Sequence, residues 1–228
     1  MKKYSAIILA AGSGSRMGLG YNKILHMTNQ KPAVLYSLET FLADNCCVQL
    51  ILVINPLEAE TIKKIIPLDE RILMISGGDE RQDSVYQGLQ QVTEAVVLVH
   101  DGARIFVNQT MIDECYRFAS IGVAAVVGVP VKDTVKRVNE ERVVLETLPR
   151  QELFSIQTPQ SAPTHLLKLA HEKAKVEQFL GTDEASLIER YTNIPVHIVK
   201  GSYRNIKLTT PEDLLIAEQL LHYKEKNS

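Results

Sequence analysis

Short, uninterrupted apolar runs recur along this chain, and they restrict its fold more than any other feature. Ala6 to Ala10 (AIILA), Val48 to Asn55 (VQLILVIN), Ala95 to His100 (AVVLVH) and Ala124 to Val131 (AAVVGVPV) carry aliphatic side chains at successive positions rather than alternate ones. A strand that is apolar on both sides has to be covered on both sides. The cover lies between the runs. Pro32 to Leu42 sets Val34, Leu35, Leu38, Phe41 and Leu42 on one helical face, and Glu58 to Ile66 and Met111 to Ala119 repeat that spacing. Strands alternating with amphipathic helices predict an α/β fold, a Rossmann-like, mostly parallel sheet with helices on both faces.

The pattern changes after Val131. Lys132 to Gln157 is polar, with strand-like patches at Arg137-Val138, Arg142 to Leu145 and Leu153 to Gln157 and no helix between them. It reads as a projecting antiparallel β-arm at about 132–157. Helical spacing resumes at Pro163 to Lys175 and Asp183 to Arg190, followed by a short strand, Val196 to Val199. The closing helix has Thr210 at its N-cap, Pro211 at its first position and Asp213 in its first turn. With no repeat or linker, a single domain over 1–228 carrying one arm is expected.

Composition removes several function classes. A formal net charge of -2 speaks against a nucleic-acid surface, which usually carries a basic stripe. No apolar run reaches the roughly 18 residues that a membrane-spanning helix needs. Met1-Lys2-Lys3 leads only into the short stretch Tyr4 to Ala11, which glycines then break, so a buried strand is expected there rather than a secretory signal. Cys46, Cys47 and Cys115 form neither a disulfide framework nor a zinc-binding spacing, and reduced thiols in a cytoplasmic protein are expected.

The loop after the first strand, Leu9-Ala10-Ala11-Gly12-Ser13-Gly14-Ser15-Arg16-Met17-Gly18, is built for close approach of a ligand to backbone N–H groups. It is neither of two common phosphate motifs. Gly12, Gly14 and Gly18 are spaced G-x-G-x-x-x-G, one residue too long for the dinucleotide fingerprint, and no Gly-Lys pair completes a P-loop. What remains is a glycine turn with Arg16 inside it and Lys23 seven residues on, a pair of cations suited to a triphosphate. Asp101 closes an apolar strand, where ligands bind in open α/β sheets, and a carboxylate beside a triphosphate is a natural Mg²⁺ ligand.

The glycine loop is followed in order by Gly77 to Val85 (GGDERQDSV), His100 to Arg104 (HDGAR), Pro130 to Lys136 (PVKDTVK), Gln157 to Gln160 (QTPQ), Gly181 to Ser186 (GTDEAS) and Asn205 to Thr209 (NIKLT). Together these segments resemble the 2-C-methyl-D-erythritol 4-phosphate cytidylyltransferases of non-mevalonate isoprenoid synthesis, over nearly the whole chain. The resemblance implies transfer of CMP from CTP to a sugar-alcohol phosphate with release of pyrophosphate. It assigns Ala10, Ala11, Gly12, Gly14, Gly78, Asp79, Ser84 and Asp101 to the nucleotide, with Asp79 also expected to cap the helix bearing Ser84. Arg16, Lys23, Arg150 and Lys207 are implied as the catalytic cations. Arg104, Thr134, Arg150, Thr158 and Lys207 are implied around the second substrate, and Mg²⁺ on Asp101.

In the family the arm interlocks with a partner's, which implies a homodimer. Lys207, between Ile206 and Leu208, would face the opposite side of a strand from both. Three places depart from the family's commoner residues: Asn22 and Ile24 on either side of Lys23, Ile105 after Arg104, and Glu184 where an aspartate is more usual. The competing readings are a ribitol 5-phosphate cytidylyltransferase, a catalytically silent nucleotide-binding module on the same fold, and a nicotinamide oxidoreductase, which the glycine spacing disfavours.

Overall fold

The computed structural model describes residues 3–12 and 22–226. The chain opens with strand β1 (Tyr4–Ala10), a small hairpin of β2 (Met27–Thr28) and β3 (Lys31–Pro32), and helix α1 (Ala33–Leu42). Then come β4 (Cys47–Ile54), α2 (Ala59–Ile65), β5 (Ile72–Ser76), α3 (Arg81–Gln91), β6 (Val96–Asp101), α4 (Gln109–Ser120) and β7 (Ala124–Pro130). The arm is β8 (Lys136–Val138) and β9 (Val144–Thr147). After it follow β10 (Phe154–Pro163), α5 (Thr164–Val176), α6 (Glu184–Tyr191), β11 (Val196–Lys200) and α7 (Pro211–Lys226).

The main sheet has seven strands in the order β11-β7-β10-β6-β1-β4-β5. All its pairings are parallel except the two made by β10, which runs antiparallel to both β6 and β7. The expected Rossmann-like, mostly parallel sheet is therefore present.

Its apolar strands divide their side chains between two cores, as a period of two requires. Ala6 and Ile8 of β1, Leu50 and Leu52 of β4 and Leu98 of β6 pack with Val34, Leu38 and Phe41 of α1, Ile112 and Cys115 of α4 and Ala217 of α7. The intervening Ile7, Ile51, Val53, Val97 and Val99 pack on the other face with Val85 and Leu89 of α3, Leu167 and Ala170 of α5 and Leu187 and Ile188 of α6. Each of these strand residues is fully buried, and burying such a side chain contributes roughly 1.5–3 kcal/mol.

One strand was not foreseen and three expectations need correcting. Ile72–Ser76 forms an edge strand that the apolar runs did not announce, because its pattern is only half-buried. Leu153 to Gln157 does not belong to the arm: from Phe154 onward it is part of β10, inside the main sheet. Arg142 lies in the arm's turn, with φ 63, and the second arm strand begins at Val144. Lys207 lies in irregular chain rather than in a strand.

Candidate active site

In a parallel sheet the strands' carboxyl ends share one edge, and a crevice opens where the chain order reverses. That reversal occurs at β1, which pairs with β4 on one side and β6 on the other. A cavity of about 370 Å³ opens there. Ala10, Ala11 and Gly12 line it from the end of β1, Asn22, Lys23 and Ile24 from the turn beyond, Gly78 to Arg81 and Ser84 from the start of α3, Asp101 from the end of β6, and Lys207 and Thr209 from the approach to α7. Sequence segments nearly two hundred residues apart thus meet at one site.

Glycines make the wall thin. A Cβ at Gly77 would come within 2.6 Å of Ala11 Cβ and 2.8 Å of Ser84 Oγ, and one at Gly78 within 2.4 Å of Asp83 Cβ. The Gly78 N–H donates to Ser84 Oγ at 3.1 Å, so Ser84 holds the β5–α3 loop against the cavity. Asp79 is not the helix cap. Glu80 occupies that position, with its N–H donating to Asp83 Oδ2 at 3.2 Å, which leaves Asp79 on the cavity wall.

Asp101 is the electrostatic centre. It is 6% exposed. Lys207 Nζ lies 2.8 Å from Oδ2, Arg81 Nε 3.2 Å from Oδ1 and Arg104 Nε 3.8 Å from Oδ2. Burial alone would raise its pKa, but Arg81 and Lys207 outweigh burial and hold the carboxyl well below the usual carboxylate range. The charge is fixed from beneath as well. The Asp101 N–H donates to Thr158 Oγ1 at 3.0 Å, and that hydroxyl in turn lies 3.0 Å from His100 Nδ1.

The Arg104 carbonyl can only accept, so His100 Nε2 carries the hydrogen and donates to it at 3.1 Å. In the neutral ring Nδ1 is then the acceptor, and the Thr158 hydroxyl donates to it. Burial pushes the His100 pKa down to about 4, which keeps the ring neutral near pH 7. His100 is buried in the core at the end of its strand.

Two residues of this site were not foreseen from the sequence. Arg81 spans Asp101 and Glu184, giving Glu184 a two-point contact of 2.8 and 3.0 Å. Glu184 is 4% exposed at the start of α6. The only sequence signal was that both fall inside motifs, Gly77 to Val85 and Gly181 to Ser186; their separation along the chain hides the pairing.

The remaining expected residues fall into three groups. Thr158 is buried beneath Asp101, with its hydroxyl committed as described. Arg104 turns away, donating to the carbonyls of Asn205 (2.9 Å) and Ile156 (3.4 Å). Thr134 and Arg150 are exposed on the arm, where Arg150 donates to the Lys132 carbonyl at 2.8 Å, and neither lines the cavity of its own chain. Gly14 and Arg16 lie outside the described residues.

Among the described residues no group of three His, Cys, Asp or Glu side chains is arranged to hold a metal. Nor is any helix of the described residues long and apolar enough to cross a membrane.

Comparison with known proteins agrees on one family. The family profile described as IspD, 2-C-methyl-D-erythritol 4-phosphate cytidylyltransferase, matches residues 4–223. The chain is 47% identical to the 2-C-methyl-D-erythritol 4-phosphate cytidylyltransferase of Bacillus thuringiensis (strain Al Hakam), over 98% of this chain and 100% of that protein. It is 45% identical to the protein of the same name from Halalkalibacterium halodurans, over 98% and 99%. Among solved structures, the 4-diphosphocytidyl-2C-methyl-D-erythritol synthase of Anaerococcus prevotii superposes with a TM-score of 0.87 at 30% identity, covering 97% of each chain. The 2-C-methyl-D-erythritol 4-phosphate cytidylyltransferase of Thermus thermophilus gives 0.79 at 28%, covering 96% and 99%.

Proposed function

This chain belongs to the 2-C-methyl-D-erythritol 4-phosphate cytidylyltransferase family, and from that membership and the cavity we infer where and how it moves CMP from CTP to 2-C-methyl-D-erythritol 4-phosphate. The products are 4-diphosphocytidyl-2-C-methyl-D-erythritol and pyrophosphate. A phosphate oxygen of the methylerythritol phosphate attacks the α-phosphorus of CTP. A new P–O bond forms, the bond to the α–β bridging oxygen breaks, and pyrophosphate leaves opposite the attack. The nucleophile is already an anion near pH 7, so the reaction needs no general base, and positioning with electrostatic stabilisation supplies the rate.

The observation that carries this reading is that Lys23 and Lys207, far apart in sequence, line one cavity together with the glycine-bearing end of β1. Both ammonium groups offset the charge that builds on the phosphorus, a role that the family resemblance extends to Arg16, outside the described residues. The Gly78 backbone and Ser84 form the wall for the cytosine and ribose. Asp101 suits a divalent cation such as Mg²⁺ in its hard oxygens and its fixed negative charge. Both of its oxygens face cations, Arg81 at Oδ1 and Lys207 at Oδ2, so it would hold the metal in place of Lys207. A bound Mg²⁺ would supply charge neutralisation along the triphosphate.

Lys207 therefore has two partners available, the Asp101 carboxylate and the arriving phosphates. Arg104, whose terminal nitrogens are held by the Asn205 and Ile156 carbonyls, exchanges those bonds to take the second substrate. The apolar side chains left exposed on the arm and its root, Val138, Val143, Val144, Leu145, Phe154 and Ile156, support a homodimer in which Thr134 and Arg150 reach a partner's cavity. The enzyme works in the cytoplasm, with Cys46, Cys47 and Cys115 as free thiols.

A coupled pyrophosphate-release assay tests the reading across CTP, UTP, methylerythritol phosphate and ribitol 5-phosphate, with and without chelator. Release is expected with CTP and methylerythritol phosphate, and should be abolished by chelation. Preference for ribitol 5-phosphate, or CTP binding without release for any polyol phosphate, would refute it.

A further inference from the structure

Asn22 lines the cavity while being only 2% exposed. Its amide reaches separate parts of the chain at once. Nδ2 donates to the Ala10 carbonyl at the end of β1, at 2.8 Å, and to Glu58 Oε2, just before α2, also at 2.8 Å. Oδ1 accepts the Ile24 N–H at 3.3 Å and so caps the single 3-10 turn Lys23–Leu25. Both amide hydrogens and one carbonyl lone pair are thereby used.

A three-residue turn has too few internal hydrogen bonds to set its own direction, so its anchors set it. The residue that this anchor precedes is Lys23. Backbone geometry agrees: Asn22 sits at φ -66 and ψ 126, extended chain leading directly into the turn.

We propose that Asn22 is a positioning residue for CMP transfer, tying the Lys23 turn to Ala10 and Glu58 so that the Lys23 ammonium meets the triphosphate in a fixed direction. This rests on the transferase reading above.

Replacement separates positioning from simple stability. Asn22→Ala removes every tie. Asn22→Asp is isosteric and keeps the cap on Ile24, but it cannot donate to Ala10 and sets a carboxylate against Glu58. Adding Glu58→Gln to Asn22→Asp turns that clash back into a hydrogen bond, with glutamine as donor. Misplacing a catalytic group by about 1 Å can cost on the order of a hundredfold in rate. Both single variants are therefore expected to lose about tenfold or more in kcat, with KM for CTP changed less than about threefold. The double variant, which still cannot donate to Ala10, should recover part of the Asn22→Asp loss.

A second readout needs no substrate. Acylation of Lys23 by acetic anhydride, followed by peptide mass spectrometry, should speed up in Asn22→Ala, while the exposed Lys63 reacts at an unchanged rate. The proposal is overturned if kcat of both single variants stays within about twofold of the unsubstituted enzyme, whatever happens to their melting temperatures. It is equally overturned if the double variant is no better than Asn22→Asp. Should the unsubstituted protein transfer no CMP, the transferase reading fails on its own. The Lys23 acylation rate then decides the tie, and an unchanged rate in Asn22→Ala rejects it.

Discussion

Replacing Glu184 by glutamine perturbs the site through a single charge. In the native arrangement the Glu184 carboxylate takes both terminal nitrogens of Arg81, at 2.8 and 3.0 Å, while Nε of Arg81 faces Asp101 at 3.2 Å. Two carboxylates thus share the charge of Arg81, and Asp101 is also approached by Lys207 and Arg104. Glu184→Gln keeps shape and volume but removes one anion. Among the described residues, Asp101 is left as the carboxylate that faces all three cations.

Removing one partner of a buried ion pair costs about 3–5 kcal/mol. The Glu184 side chain is 5% exposed but that of Arg81 is 29% exposed and retains Asp101, which moves the expectation to the low end, about 3 kcal/mol. For a chain of this size each kcal/mol shifts the melting temperature by about 2–4 °C, so a drop of about 6–12 °C is expected. Thermal unfolding followed by circular dichroism, at one protein concentration, measures it. Glu184→Asp, which keeps the charge but is one methylene shorter, should fall between the two. Arg81→Met/Glu184→Leu, which replaces the pair by apolar groups, should recover much of the loss. A Glu184→Gln protein melting within about 2 °C of the unsubstituted chain would refute the idea that this pair anchors the site.

Other perturbations test neighbouring parts of the same structure. Thr158→Val keeps the shape but leaves the Asp101 N–H and His100 Nδ1 without partners; unfolding in urea should show a loss of about 2–4 kcal/mol, and a loss below about 0.5 kcal/mol would contradict the hydrogen-bond chain. Gly77→Ala drives a methyl group against Ala11 and Ser84, and steady-state kinetics should show KM for CTP rising about tenfold, whereas an unchanged KM would mean that this wall does not meet the nucleotide. Stability should also fall with acid. Burial pushes the pKa of both His100 and His171 from 6.5 down to about 4, so below 6.5 the unfolded chain takes up protons that the folded chain refuses. Each histidine then removes up to about 1.4 kcal/mol per pH unit until the folded value is reached. Urea midpoints that stay constant between pH 7 and 4.5 would show that these rings are not held neutral.

The parts of this protein that could be read from sequence are those whose physics is local. Strands β1, β4, β6 and β7 announce themselves because consecutive side chains enter the two cores, and α1 and α4 because their apolar stripes match one turn in 3.6. The glycine loop, Asp101 and Lys207 could be named because backbone freedom and charge are visible residue by residue.

Strand β10 could not be read in the same way. Gln157, Thr158, Gln160 and Ser161 look like surface chain, and Pro159 and Pro163 like turn residues, yet 157–163 is buried in the sheet. Its polar groups are satisfied by distant partners: Gln157 donates to the Ser202 carbonyl, Thr158 pairs with Asp101 and His100, Gln160 bridges Asp183 and the Ala185 N–H, and Ser161 donates to the Cys115 carbonyl. Hydropathy counts the polarity and cannot count the partners. Arg81 and Glu184 were missed for the same reason, since a two-point contact between residues so far apart leaves no trace in either local pattern.

The reversed strand has a further consequence for how the molecule comes to exist at all. β10 is the only hydrogen-bonded link, among the described residues, between the β6-β1-β4-β5 block and the β7-β11 pair. During synthesis the first block can assemble once β6 has emerged, but its β6 flank stays an open row of donors and acceptors until residues 154–163 leave the ribosome. A nascent chain stalled in the arm would expose that flank and Asp101 beside it. The segment that closes the sheet against self-association thus also lays the floor beneath Asp101, so a safe surface comes first and Lys207 completes the site afterwards.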